Sequence, residues 1–367
     1  MSFDKRIADL LHHRAQSLKP HDPVSLPLTT STVFHLPSEV GEEDQYARFG
    51  TPVWSAVEAQ LSILEDAPSL IFPSGMATIA AVFYAALKSG DKVLLPSDGY
   101  YTSRALAESY LVPMGILIET CATTDLAQRE LSGFDLILIE TPSNPGLDVC
   151  DLAAICQKTK ATGALSVVDN TTLTSLLQRP LDLGADIVVA ADTKVPGGHA
   201  DLLAGHVATR DKALYERIKE WRRFSGAICG PFDAWLLHRG LETMELRLSR
   251  MCENALALAS RLKDHPAIID IRYPGLKNDP AHSTAKKQMD GFGVLIGLTL
   301  KSEKAAEAFL SDCPYIAQTT SFGSTHTSGE RRARWGDEVA PGFIRLSVGC
   351  EPFEPLWGAI KKSLDQL

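Results

Sequence analysis

Four short segments of this 367-residue chain carry side chains that can do chemistry, and each follows an apolar run or opens a helical one. They are FPSGMAT (72–78), IETPSNP (139–145), VVDNT (167–171) and ADTKVPGGH (191–199). In the first, Ser74, Gly75 and Met76 precede an apolar helical stretch. A turn without bulky side chains there lets backbone N–H groups and a helix N-terminus approach a phosphate dianion, although the same turn could simply cap the helix. In the third, Asp169 ends an apolar strand, where a carboxylate is costly unless it meets a cation or serves as a turn residue opening a helix near Thr171. In the fourth, Lys194 follows the next run, 25 positions later, beside Thr193 and ahead of Gly197 and Gly198. Most lysines are solvated surface charges. One held at the mouth of a sheet, beside a phosphate and a cationic ring, loses part of its proton affinity and can act as nucleophile and proton shuttle.

A phosphate cradle, a carboxylate for a ring nitrogen and an amine nucleophile are requirements of pyridoxal 5'-phosphate (PLP), together with a support for its ring. Asp169, paired with the pyridine nitrogen, would keep it protonated and preserve the electron sink that stabilises a substrate carbanion. Tyr100, in SDGYYTSR (97–104), offers an aromatic face for stacking, with Tyr101 as its rival and core packing as the plain alternative. Arg345, in FIRLSVG (343–349), is a lone charge in a strand-like run. Its fork of donors suits a substrate α-carboxylate, unless the run is an edge strand and the arginine faces solvent.

The elements that must position these groups follow from hydrophobic spacing. Short aliphatic runs at 92–95, 115–119, 136–139, 166–168 and 187–189 alternate with helical patterns, which predicts a mainly parallel sheet covered by helices. In such α/β sheets ligands gather beyond the carboxyl ends of strands, where the four segments fall. Apolar positions 54, 57, 61 and 64 form one helix stripe. Met244, Leu248, Met251, Ala255, Leu258 and Leu262 predict a long amphipathic helix bridging two domains, followed by a mixed α+β pattern with strands in GVLIGLTL and FIRLSVG and helices near 302–311 and 354–366. The expected organisation is an N-terminal arm (1–50), an α/β domain (51–240) and a smaller α+β domain (241–367).

Composition narrows the function classes. Hydrophobic residues make up 45% and charged residues 22% of the chain, the balance of a globular protein. The formal charge of -9 disfavours nucleic acid as a partner. No run approaches the ~20 apolar residues of a membrane span, and the amphipathic start lacks a cleavable leader, so a soluble cytoplasmic protein with no membrane partner is expected. The seven cysteines have no C-x-x-C spacing, so no metal site is expected. Neither G-x-G-x-x-G after the first strand nor G-x-x-x-x-G-K-[ST] occurs, which removes a nucleotide-binding dehydrogenase.

In order along the chain, PLTTSTVF (27–34), YARFGTP (46–52), SGMA (74–77), ETPSNP (140–145), VVDNT (167–171), DTK and GHAD (192–201), GPFDAWLLHRGLET (230–243), YPGL (273–276), QMDGFG (288–293), TSFG (320–323) and IRLSVG (344–349) resemble the Cys/Met-metabolism (transsulfuration) family of PLP enzymes. The resemblance implies an aspartate-aminotransferase-like (fold type I) large domain and PLP as cofactor. It further implies that Lys194 holds the cofactor covalently, Asp169 meets the pyridine nitrogen, Tyr100 stacks on the ring, and Ser74, Gly75, Met76 and Thr193 bind phosphate. Tyr46 and Arg48 match a Y-x-R motif that crosses to the phosphate of a neighbouring subunit, which implies a homo-oligomer, at least a dimer and commonly a tetramer. Arg345 and Ser321 match residues that hold the substrate carboxylate, and Asn144 one near the cofactor. Two departures stand out. Ala191 removes a phosphate-binding hydroxyl, and His326 replaces a glutamate of the distal substrate region. The expected activity is a carbon–sulfur lyase acting on a sulfur amino acid by γ-elimination of cystathionine, with β-elimination, γ-replacement or a non-catalytic paralogue as alternatives. Retention of Lys194, Asp169 and Arg345 argues against the last.

Overall fold

The computed structural model describes residues 3–15, 17–36 and 46–367. Of the expected arm, 1, 2, 16 and 37–45 lie outside the described residues. The large sheet has seven strands: β1 (Ser69–Phe72), β2 (Lys92–Pro96), β3 (Leu117–Cys121), β4 (Leu136–Glu140), β5 (Leu165–Asp169), β6 (Ile187–Ala190) and β7 (Gly205–Thr209), in the order β1-β7-β6-β5-β4-β2-β3. Five of the seven are the expected runs. Strands β4, β6 and β7, and the edge strand β1, are buried at every position, as strands covered by helices on both faces must be. β7 runs antiparallel to both of its neighbours, β1 and β6, and so interrupts an otherwise parallel sheet.

The helix predicted from positions 54–64 spans Pro52–Glu65. Thr51 caps it, its hydroxyl accepting from the Trp54 amide at 3.1 Å, and Pro52 fills the first turn, where its missing N–H costs nothing. Asp66, in the left-handed region at φ 53°, ends it.

A second sheet follows: β8 (Ile268–Arg272), β9 (Leu295–Leu300), β10 (Ala317–Gln318), β11 (Ser328–Arg331) and β12 (Phe343–Ser347), in the order β10-β11-β12-β9-β8. The expected long helix spans Met244–Leu262. Met244, Leu248 and Met251 lie in a core shared with the 52–65 helix, whereas Ala255, Leu258 and Leu262 lie in the core under the second sheet. Each fully buried Leu or Met contributes roughly 1.5–3 kcal/mol, so this one stripe fastens both cores to a single rigid rod.

Candidate active site

The turn expected to cradle a phosphate forms where β1 leads into the helix Gly75–Ala86. Ser74 is its N-cap, accepting from the Ala77 amide at 3.1 Å, and the first-turn amides of Gly75 and Met76 lie at the positive end of the helix. The turn presses against the lysine loop: a Cβ on Gly75 would lie 2.6 Å from the Ala191 Cβ, so only glycine fits. Gly205, at the start of β7, is wedged against the same turn, where a Cβ would lie 2.8 Å from the Ser74 carbonyl oxygen.

Lys194 lies in the loop after β6, and its Nζ donates to Ser321 Oγ at 2.6 Å, 5.1 Å from the Phe322 ring centroid. Burial and the Arg345 guanidinium bring its pKa down to about 8, against the opposing pull of Asp169 and Glu330. The loop is stapled in place. Thr193 exchanges hydrogen bonds with Ala204, its hydroxyl accepting from the Ala204 amide and donating to the carbonyl, each at 3.2 Å. Buried Arg247 donates to the carbonyls of Val195 at 2.7 Å and Gly240 at 2.6 Å, and any side chain on Gly198 would collide with it. Ser321 occupies the left-handed region, φ 75°, an unusual conformation for a residue with a side chain. In that conformation its hydroxyl accepts from Lys194 while its carbonyl accepts from Arg345 at 3.0 Å. Lys194, Thr193, Ser321, Phe322 and Ser324 line a cavity of about 740 Å³.

Asp169 and Glu140 end adjacent strands in register. Asp169 Oδ1 accepts from both the amide and the hydroxyl of Thr171, at 3.0 and 2.5 Å, while Oδ2 has no donor among the described residues. The turn alternative for Asp169 therefore holds at Oδ1 and leaves Oδ2 open to a cation. Burial raises the pKa of both acids, and Asp169 pushes Glu140 further up. Glu140 Oε2 accepts from the Tyr100 amide at 2.6 Å, and Arg104 ties down the same turn by donating to the carbonyls of Pro96 and Gly99. The Tyr100 ring is itself 42% exposed, with Tyr101 beside it at 5.6 Å between centroids.

Arg345 is on β12, paired on both sides, rather than on an edge strand. It is buried, donates to Asn144 Oδ1 at 2.7 Å and forms a short ion pair with Glu330. Burial and the Arg332 guanidinium lower its pKa to about 10, against Glu330. Glu330 also accepts from Arg332 at 2.6 Å and Trp335 at 2.9 Å, so one buried carboxylate aligns the whole group. Sequence reasoning missed Glu330, although its place on a strand paired to β12 opposite Arg345 follows from the register.

Tyr46 and Arg48 are placed elsewhere. Tyr46 is 43% exposed, and Arg48 donates to the Arg223 carbonyl at 3.3 Å and packs on the Phe49 ring. His326 is exposed, its Nδ1 3.3 Å from the Thr325 hydroxyl, and it does not line the cavity. The loop that carries it curls back on itself: Thr325 donates its amide to Gly198, and Thr327 is held by Glu351.

These residues fit PLP. A helix-mouth turn admits only glycine, a raised carboxylate has an oxygen free for a protonated ring nitrogen, and a lysine of lowered pKa stands beside a buried arginine. The Cys/Met metabolism PLP-dependent enzyme family matches residues 8–365. A Streptomyces coelicolor protein named "Putative cystathionine gamma-lyase" is 42% identical over 353 residues, covering 94% of this chain and 90% of that protein. A cystathionine beta-lyase of Lactococcus lactis subsp. cremoris is 36% identical over 373 residues, covering 97% of this chain and 98% of that enzyme. The crystal structure of cystathionine gamma synthase from Xanthomonas oryzae pv. oryzae, in complex with aminoacrylate and cysteine, aligns with a TM-score of 0.94 at 31% identity over 98% of each chain. Sequence, fold and site geometry thus agree that this chain belongs to the Cys/Met metabolism PLP-dependent enzymes.

Proposed function

We propose that this enzyme is a carbon–sulfur lyase that cleaves L-cystathionine by γ-elimination to cysteine, 2-oxobutyrate and ammonia. The observation that carries the lyase chemistry is the Lys194 amine, its pKa lowered to about 8, held in a cavity at 2.6 Å from Ser321, whose carbonyl accepts from Arg345. The γ-lyase name of the Streptomyces coelicolor relative supports the choice of Cγ.

When bound, PLP withdraws electrons from the substrate α-carbon and so makes its proton removable. Lys194 Nζ takes that proton and, for γ-elimination, a second one from Cβ, and returns protons to the products. Asp169 Oδ2 keeps the ring nitrogen protonated. Arg345, fixed by Asn144 and Glu330, holds the substrate α-carboxylate, and Ser321 holds both Lys194 and Arg345 at the angle they need. Tyr100, its amide anchored on Glu140, would stack on the ring, while Ser74, Gly75, Met76 and Thr193 would bind the phosphate. Tyr46 and Arg48 serve the phosphate of a neighbouring subunit in a homo-oligomer, an arrangement supported by the exposure of Tyr46.

The test is to incubate the PLP-loaded enzyme with L-cystathionine and identify the products. Cysteine with 2-oxobutyrate supports the proposal. Homocysteine with pyruvate replaces it with β-elimination, and no cleavage, with turnover only of an activated homoserine ester, replaces it with γ-replacement.

A further inference from the structure

Behind the lysine loop lies a group of three ionisable residues that the mechanism above does not use. His206, on β7, is fully enclosed between Asp192 and Glu65: its Nδ1 is 2.9 and 3.0 Å from the two Asp192 oxygens and its Nε2 is 3.2 Å from Glu65 Oε1. All three are buried, Asp192 at 0% exposure. A neutral imidazole carries one N–H, yet here both ring nitrogens face carboxylate oxygens, so the geometry calls for the doubly protonated cation. Burial opposes that charge, but the two carboxylates overcome it and push the pKa to about 10.

The three residues come from three elements. Glu65 ends the 52–65 helix, His206 lies on β7 opposite Ile71 of β1 and Ala190 of β6, and Asp192 is two positions before Lys194. The residue before His206 is Gly205, which is wedged against the Ser74–Gly75 turn, and the residue before that, Ala204, is bonded to Thr193. Three consecutive residues thus touch the cradle, the lysine loop and the buried ion group. The Asp192 carbonyl also accepts from the Gly197 amide at 2.8 Å, closing the loop around its own backbone.

We propose that Glu65, His206 and Asp192 are positioning residues: a buried charge clamp that locks the Lys194 loop in register with the phosphate cradle. The clamp rests on the assignment of Lys194 and Ser74–Met76 to the cofactor. A carboxylate–imidazolium–carboxylate row has one best geometry, because displacing any member leaves a buried charge unpaired. Two carboxylates alone would repel, so the imidazolium sets the distance between the helix end and the lysine loop.

The test uses the holoenzyme and reads cofactor release and ring protonation rather than turnover. Asp192→Asn and His206→Gln are each expected to speed PLP release, followed by absorbance after dilution, by about tenfold or more, as expected for loss of a charged hydrogen bond. The double variant should release no faster than the worse single one, because the clamp acts as a unit. Glu65→Gln, at the longer contact, should have the smaller effect, and it remains a usable variant if the others fold poorly. NMR of enzyme with 15N-labelled histidine should show both His206 ring nitrogens protonated at pH 7.5. Release rates unchanged in all three variants, lowered melting temperature with unchanged release, additive effects in the double variant, or a neutral His206 ring would each overturn the clamp. Borohydride labelling of a lysine other than Lys194 would instead overturn the cofactor assignment, and it leaves the His206 protonation measurement standing as a separate result.

Discussion

Replacing Glu330 by Gln removes the one negative charge between two buried guanidinium groups while keeping the side chain's shape. Arg345 is 4% and Arg332 8% exposed, and both donate to Glu330, so the variant leaves two cations facing a neutral amide. Removing one partner of a buried pair typically costs about 3–5 kcal/mol, and Arg332 keeps a second carboxylate, Asp337, at 2.7 Å, which places the expected loss near the lower bound, about 3 kcal/mol. At 1.4 kcal/mol per decade this is roughly a hundredfold in the unfolding constant. The assay is urea unfolding of the holoenzyme at fixed protein concentration, with the slope checked against the wild type. A substrate or product α-carboxylate bound beside Arg345 supplies part of the missing charge, so an added amino-acid ligand should raise the midpoint of Glu330→Gln more than that of the wild type. A loss under about 1 kcal/mol, or equal ligand gains in the two proteins, would refute the assignment of Glu330 as the group that neutralises Arg345.

Three further outcomes are expected. With the Lys194 pKa near 8, borohydride-trapped incorporation of PLP into protein stripped of cofactor should rise with a midpoint near pH 8. At pH 7.5 the unprotonated fraction exceeds that of an ordinary lysine by roughly two orders of magnitude, and a midpoint above about 10 would contradict the site's electrostatics. Gly75→Ala forces a methyl to within 2.6 Å of Ala191 and should weaken PLP binding, with an overpacking cost of about 1–3 kcal/mol, read by cofactor titration. His206 has a folded pKa raised from 6.5 to about 10, so its stabilisation is fully present below about pH 6.5 and is lost as pH rises through 10. The unfolding midpoint of the wild type should therefore fall more steeply between about pH 8 and pH 10.5 than that of His206→Gln, and equal slopes would count against an enclosed imidazolium.

What could be read in the sequence was local. Lys194, Asp169 and Arg345 each interrupt or end an apolar run, so the strand periodicity that revealed the sheet also exposed them. Gly75 and Ser74 were legible for a similar reason, a turn followed by a helical stripe. What was not legible depends on contacts across long separations. Glu65 and His206 are 141 positions apart and meet only because β7 inserts beside β1. Glu330 looked like one more charge in the run GERRAR, and only the pairing of β11 with β12 sets it opposite Arg345. Arg247 occupies a mostly apolar helix face, and its value lies in three backbone carbonyls that no periodicity reports. His326 illustrates the converse: its place in the family motif suggests the distal substrate region, yet the loop closes through Thr325 and Thr327 and leaves the ring exposed.

The reversed strand β7 also has a consequence for how the enzyme is made. The cradle at 74–76 and the lysine at 194 leave the ribosome before residues 205–209, which lie between β1 and β6 in the finished sheet. Until that strand arrives, β1 has no strand partner among the described residues, where β7 is its one neighbour. A nascent chain that has emerged as far as Leu202 therefore holds the 74–76 turn and Lys194 but not the wedge that seats them together. The seating of the 74–76 turn against the lysine loop is thus tied to the emergence of one five-residue strand.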